Sequence, residues 1–335
     1  MNRISFEDVQ ATLEGVLRKL GFAASRAESC ARLFAETTCD GVYTHGVNRF
    51  PRFVAMIRNG NVNVNAEPRR VAGFGALERW DGQRGPGNLN AQTSMERAIS
   101  LSREHGVGCV ALGNTNHWMR GGSYGWQAAE ASVIGICWPN TMPNLPAWGG
   151  VEPCLGNNPL VVAAPRAGGH VVLDMAMSQF SYGTLESYKN QGKTLPVDGG
   201  FDAAGKLTRD AAAIEQTQRP LPIGYWKGSG LSLVLDMMAA MTSLATATHQ
   251  LTTDSLKEAG LSQMFLTINP AALGDEARLQ QIADEIIASL HQSRAAEEGA
   301  KIRYPGEKVL QIRAENRRLG VPVERKVWEE IVKMQ

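Results

Sequence analysis

Three polar segments of this 335-residue chain carry side chains that can do chemistry. In GVYTHGVNRF, residues 41–50, Tyr43, Thr44, His45, Asn48 and Arg49 crowd around Gly41 and Gly46. A histidine titrates near neutrality and can pass a proton, and an arginine can grip a carboxylate with two parallel hydrogen bonds. His45 and Arg49 are four apart, so a helix through both would place them on one face. Together they suit an acid catalyst and a carboxylate clamp for a 2-oxo acid. The same spacing also fits an imidazole capping a turn beside a solvated arginine.

The second segment, GNTNHWMRGGSYGWQAAE (residues 113–130), follows the strand-like VGCVAL. Polar loops that leave a strand end and lead into a helix often carry sites. Asn114, Asn116, His117 and Arg120 offer donors there, and Trp118 and Tyr124 offer walls; a tight exposed turn with structural glycines is the other reading. The third, PIGYWKGSGLSLVLDMM (residues 222–238), opens a long apolar helix at Gly228-Ser229-Gly230, just after Trp226 and Lys227. Free N–H groups and the positive dipole end make an anion site at such a start. Lys227 adds charge and Trp226 can pack on a flat ring; a solvated lysine before a glycine-rich helix start fits equally. Met237, Met238 and Met241 read as core filler.

The elements that must position these groups follow from periodicity. Ser5 caps an amphipathic helix over residues 5–20, with Val9, Leu13, Val16, Leu17 and Leu20 as its stripe. A second helix follows Ser25. A third starts near Asn48, since Pro51 is tolerated only in a first turn, and ends at Asn59-Gly60. From about residue 70 strands and helices mix. RRVAGFGALERW, VGCVALGN, ASVIGICWPN and SQMFLTIN read as strands, and the two β-branched runs around Gly168-Gly169 as a hairpin. LPVDGGFDAAGKLT reads as a loop. The class is α/β, a mixed central sheet with flanking helices.

Composition narrows the function. The formal net charge is +1, which gives no global pull toward nucleic acid or membrane. Cys30, Cys39, Cys109, Cys137 and Cys154 are odd in number and widely spaced, so they read as reduced thiols rather than a zinc site. No basic, apolar leader stands at the N-terminus and no run approaches a membrane span, so a cytoplasmic protein is expected. A G-x-G-x-x-G dinucleotide fingerprint is missing, as are a phosphate loop, H-E-x-x-H and G-x-S-x-G. That excludes a standard Rossmann reading but not a dinucleotide, because other helix N-termini also bind phosphates.

GVYTHGVNRFPRF, NTNHWMRGGSYGWQAAE, LPVDGGFD and YWKGSGLSLVLDM together resemble the type-2 malate/L-lactate dehydrogenase family nearly end to end, most closely its branch acting on 2,3-diketo-L-gulonate. The resemblance implies an oxidoreductase with a non-Rossmann fold, NADH (or NADPH) as cofactor, a small anionic 2-oxo acid as substrate, and an intertwined homodimer. It implies His45 as proton donor and cofactor contacts along His170, Val171, Val172, Leu173, Asp174, Met175 and Ala176, at Trp226 and Lys227, and at Gly306, Glu307 and Lys308. Arg49 is then the expected carboxylate clamp and His117 a candidate for a substrate hydroxyl, with no metal. Residues 1–115 with 295–335 are expected to form a helical, substrate-binding part, and residues 116–294 a sheet-containing, cofactor-binding part. Departures at Gly156-Asn157-Asn158-Pro159, Pro146-Ala147-Trp148-Gly149 and YPGEKV bear on substrate and on the NADH/NADPH preference. Sibling dehydrogenases for malate, lactate, sulfolactate or ureidoglycolate, a cyclic imine reductase, and a non-catalytic nucleotide- or sugar-acid-binding protein are the competing readings.

Overall fold

A computed structural model describes residues 2–335. The chain opens with strand β1 (Asn2–Ile4), then helices α1 (Phe6–Lys19) and α2 (Ala24–Cys39). Two single 3-10 turns, Tyr43–His45 and Val47–Arg49, lead into α3 (Phe50–Arg58). Strands β2 (Arg69–Phe74) and β3 (Leu77–Asp81), α4 (Gly87–His105), β4 (Val107–Thr115), α5 (Gly122–Glu130) and β5 (Ile134–Pro139) follow. Next come the short β6 (Leu145–Pro146) and β7 (Pro153–Leu155), then the hairpin β8 (Leu160–Ala164) and β9 (Val171–Met175). Helix α6 (Tyr182–Asn190), the pair β10 (Gly200–Phe201) and β11 (Leu207–Thr208), α7 (Ala211–Thr217) and α8 (Trp226–Ser243) lead to β12 (Leu261–Ile268). The chain closes with α9 (Glu276–Gln292), α10 (Glu307–Leu319), β13 (Val321–Val323) and α11 (Arg325–Val332).

The N-terminal helices form where their sequence predicts. The Ser5 side chain accepts a hydrogen bond from the Asp8 N–H (3.0 Å), capping α1, whose Val9, Leu13, Val16 and Leu17 are buried. That stripe packs on Cys30, Phe34, Phe50 and Phe53 of α2 and α3, and on Val321, Val323 and Ile331 near the C-terminus. β1 pairs antiparallel with β13, so the two ends of the chain close one helical core.

The second layer is a seven-stranded sheet in the order β2-β3-β4-β12-β5-β8-β9. Only β3 and β4 run parallel, joined across α4; the other pairings are antiparallel. Helices α4 and α5 cover one face through Met95, Leu101, Tyr124 and Trp126. Leu235 and Ala239 of α8 meet the other face at Trp138 and Met264. β9 is an edge strand, and the Gly168-Gly169 turn before it uses Gly169 at φ +122°, a left-handed backbone that glycine adopts freely.

Three expectations are corrected. The division at residue 115 does not separate two units, because β4 pairs with β12 along its length and β2–β4 belong to the central sheet. The helical core instead draws mainly on residues 6–62 and 321–331, joined by Leu89 and Met119. The methionines of α8 are not core filler: Met237, Met238 and Met241 are 50%, 45% and 67% exposed, beside exposed Leu233, Val234 and Leu244. Only the narrow stripe of Ser232, Leu235, Asp236, Ala239 and Ser243 faces inward, because a single helix face can meet the sheet. The stretch around residues 197–208, read as a loop, contains the β10–β11 ladder.

Candidate active site

His45 does not share an α-helical face with Arg49. The backbone breaks at Gly46 (φ −95°, ψ −132°), which separates the two 3-10 turns. Gly46 is required by space: a Cβ there would overlap Thr38 Oγ1, which accepts a hydrogen bond from the Val47 N–H at 2.8 Å. This close seat on α2 fixes the loop that carries the imidazole. Asn48, whose side chain donates to Glu324 Oε1 (2.9 Å), ties the same loop to the start of α11. Tyr43 makes no side-chain hydrogen bond among the described residues.

The fold brings His45 to His117 instead. Their rings stack at 5.9 Å between centroids, with planes 15° apart. His117 sits in a loop bent by left-handed Asn114 (φ 52°) and Met119 (φ 65°). Its Nδ1 accepts a hydrogen bond from the Met119 N–H (3.0 Å), so the neutral ring carries its proton on Nε2 and offers it as a donor. His45 Nδ1 lies 3.0 Å from Thr44 Oγ1. Asn114 and Asn116 serve the loop itself, through Asp81 and the carbonyls of Arg84 and Gly85.

Guanidinium groups surround the imidazole pair. Burial first, then Arg49, Arg52 and Arg120, push His45 down to about 4. Burial, Arg49, His45 and Arg52 hold His117 well below its ordinary value. Arg49 makes no side-chain hydrogen bond or ion pair among the described residues, and burial beside Arg52 lowers it to about 10. Arg52 is committed elsewhere: it donates to the Ser255 carbonyl and lies 3.8 Å from the buried Glu258. Arg52 is the residue that sequence reasoning missed here, although it stands only three positions after Arg49, in the first turn of α3. The recess therefore presents one uncommitted cation next to two neutral imidazoles, an arrangement that favours an anion.

The expected cofactor residues divide into two groups along β9. At one end, the Val172 N–H donates to the Pro305 carbonyl (2.9 Å), which sets Gly306 and the start of α10 against His170 and Val172. Glu307 accepts from the Tyr304 N–H (3.1 Å) with His291 at 3.3 Å, and Lys308 is exposed. Val172 itself points into the core, so its backbone rather than its side chain faces this groove. Beyond the middle of the strand, Asp174 Oδ2 accepts from the Gly122 N–H at the start of α5 (2.7 Å). The other end runs through Met175 and Ala176 to Met177, whose carbonyl accepts from the Ile223 N–H (2.8 Å) ahead of α8. Trp226 and Lys227 lie in the first turn of α8, behind Tyr225 at φ 61°, rather than ahead of a helix opened by the glycines. Trp226 is 65% exposed and has no contact with the imidazole pair.

The expected cofactor residues thus lie along one sheet edge. Five residues of strand span about 16 Å. The starts of α10 and α8 stand near its two ends, and the exposed Trp226 indole offers a flat surface beside Lys227. Past β9 the chain enters α6, where a Cβ at Gly183 would come within 2.6 Å of Thr44 Cγ2. The end of the strand thus leads directly to the neighbour of His45.

A family model described as malate/L-lactate dehydrogenase matches residues 4–332. The chain belongs to the malate/L-lactate dehydrogenase family. It is an oxidoreductase, and the family's chemistry implies a nicotinamide cofactor. A 2,3-diketo-L-gulonate reductase of Escherichia coli O6:K15:H31 (strain 536) is 48% identical over 333 residues, covering 98% of this chain and 99% of that protein. The reductase of the same name from Citrobacter koseri is 47% identical with the same coverage. Sulfolactate dehydrogenase from Methanocaldococcus jannaschii superposes with TM-score 0.92 at 27% identity, covering 99% of this chain and 96% of that one. Malate dehydrogenase from Entamoeba histolytica shares the fold at TM-score 0.94 and 24% identity, covering 99% and 97%. The non-Rossmann α/β fold expected from the sequence is the fold of this malate/L-lactate dehydrogenase family member. Among the described residues, no three His, Cys, Asp or Glu side chains converge as a metal site.

Proposed function

We propose that this protein is an NADH-dependent reductase of a 2-oxo sugar acid, reducing 2,3-diketo-L-gulonate to 3-dehydro-L-gulonate. The observation that carries the reading is the His45–His117 pair stacked at 5.9 Å beside the uncommitted Arg49. The full-length relatives that bear the name 2,3-diketo-L-gulonate reductase supply the substrate.

Arg49 holds the substrate carboxylate by a two-point grip and so orients the carbonyl. Neutralising Arg49 in this way removes the largest charge that opposes protonation of His45. His45 then carries a proton and gives it to the carbonyl oxygen as negative charge develops there. General acid catalysis of this kind contributes about 10²–10⁴-fold. His117 Nε2–H donates to a neighbouring substrate oxygen. The nicotinamide, when bound, supplies the hydride that reaches the carbonyl carbon. The backbone of His170 to Ala176, the Trp226 indole, Lys227 and the start of α10 at Gly306, Glu307 and Lys308 hold the dinucleotide. The Glu307 carboxylate at the start of α10 puts negative charge at one end of this edge, which counts against a 2′-phosphate there and supports NADH over NADPH. The protein acts in the cytoplasm as a homodimer; the exposed apolar face of α8 supports the second statement.

The test is a panel of 2-oxo acids that includes 2,3-diketo-L-gulonate, malate and lactate precursors, sulfopyruvate and a cyclic imine acid, each with NADH and NADPH. Loss of reduced-nicotinamide absorbance should be fastest with 2,3-diketo-L-gulonate and NADH. A faster rate with another acid makes the protein a sibling dehydrogenase. No turnover with any of them, alongside tight NADH binding, leaves a binding protein.

A further inference from the structure

Asp40 is the last residue before the catalytic loop and is almost fully buried, 4% exposed. Its carboxylate accepts from Arg120 Nη1 at 2.5 Å and from Arg313 Nε and Nη2 at 2.6 and 2.8 Å. These two arginines lead in different directions. Arg120 is buried three residues past His117 and two before Gly122, whose N–H holds Asp174 of the cofactor strand. Its charge reaches both His45 and Asp174. Arg313 belongs to α10, the helix whose start lies against β9, and it stacks over Trp126 at 4.6 Å. Trp126 in turn meets His170 edge-on at 5.7 Å. One carboxylate is therefore the joint between the proton-donor loop, the His117 loop and the helix that walls the cofactor groove.

We infer that Asp40 is a positioning residue that couples the cofactor groove to the proton donor, by holding at the same time Arg313 on α10 and Arg120, three residues past the His117 ring that stacks on His45. The inference rests on the proposed reductase reading. Nothing in the resemblance to other dehydrogenases assigns Asp40 a role. The charges around His45 fix the sign of the effect. Arg49 faces it from its own loop, Arg52 from α3, and Arg120 and His117 from the loop after β4. Carboxylates stand behind these arginines, Glu258 by Arg52 and Asp40 by Arg120, while Glu36 and Glu130 act on Arg313. Removing the Asp40 charge leaves Arg120 uncompensated, which makes His45 harder to protonate.

The experiment compares wild type with Asp40→Asn, Asp40→Glu, Arg120→Gln and Arg313→Gln. NADH affinity is read by fluorescence titration without substrate, and the pH at which turnover falls on the alkaline side is read with substrate. Wild-type turnover tests the reductase reading itself, so its failure is told apart from that of Asp40. Asp40→Asn should weaken NADH binding by about tenfold and move the alkaline limb to lower pH. Asp40→Glu should recover part of both, and Arg120→Gln should move the limb upward. Arg313→Gln should weaken NADH with little movement of the limb. A folded Asp40→Asn that keeps wild-type NADH affinity and pH limb overturns the inference. Should Asp40→Asn not fold, unchanged NADH binding in Arg313→Gln overturns it instead.

Discussion

His45 stands among guanidinium groups, so its acidity depends on which anion shares the recess. Burial and the arginines hold it at about 4, and the proposed substrate carboxylate would offset Arg49. The kcat profile reports the complex and kcat/KM reports the free enzyme. A protonated donor loses activity as pH rises through its pKa, so the alkaline limb of kcat should lie at higher pH than that of kcat/KM. Coincident limbs would remove the carboxylate from this role. Replacing His45 with Ala should lower turnover by about 10²–10⁴-fold with NADH affinity kept, as measured by stopped-flow and titration. Arg49→Lys should lower kcat/KM for the acid by about tenfold or more, because the two-point grip is lost. The same imidazoles also give stability a pH slope. Both are neutral in folded and unfolded chains above about 6.5. Between 6.5 and about 4 the unfolded chain takes up protons that folded His45 refuses, so stability should fall across that window. Urea unfolding at pH 7 and pH 5 reads the slope, and His45→Gln should flatten it.

At the scale of elements, the loop that carries His45 depends on how closely it can approach α2. A Cβ at Gly46 would strike Thr38 Oγ1 and the Thr38 backbone nitrogen, so Gly46→Ala carries a steric cost. That substitution should destabilise by about 1–3 kcal/mol and reduce turnover, read together by melting temperature and kcat. Intact activity in a fully stable Gly46→Ala would mean the loop has room that the packing denies. Much at this scale was legible in the sequence. The Ser5 cap, the Pro51 first turn and the glycine hairpin before β9 are local signals, and each sits where its pattern placed it. The His45–Arg49 face was not legible, because four-residue spacing says nothing about a backbone break at Gly46. Neither was the Asp40–Arg313 pair, whose partners are 273 residues apart in the chain. Arg52 was hidden differently: its commitment to Ser255 and Glu258 depends on a loop that only the fold brings near.

Across the whole molecule, the apolar surface of α8 is the largest departure from the sequence reading. Periodicity gives a helix its apolar residues but not the surface that covers them, so buried and subunit-facing methionines look alike in one chain. Met237, Met238, Met241 and Leu244 together form a stripe too apolar to suit water. If the proposed homodimer forms through this face, Met241→Glu should sediment as a folded monomer where the wild type sediments as a dimer. A wild type that sediments as a monomer would count against the homodimer outright.

The pairing of β1 with β13 has a cost in time. The first helices leave the ribosome early, but Val321, Val323 and Ile331, which line their core, come last. At about 5–20 residues per second the interval is on the order of a quarter of a minute to a minute. Through that interval Phe6, Phe34 and Phe53 have one wall missing. A chain stopped at Gly320 should keep that wall missing permanently and bind an apolar dye such as ANS, where the full chain does not.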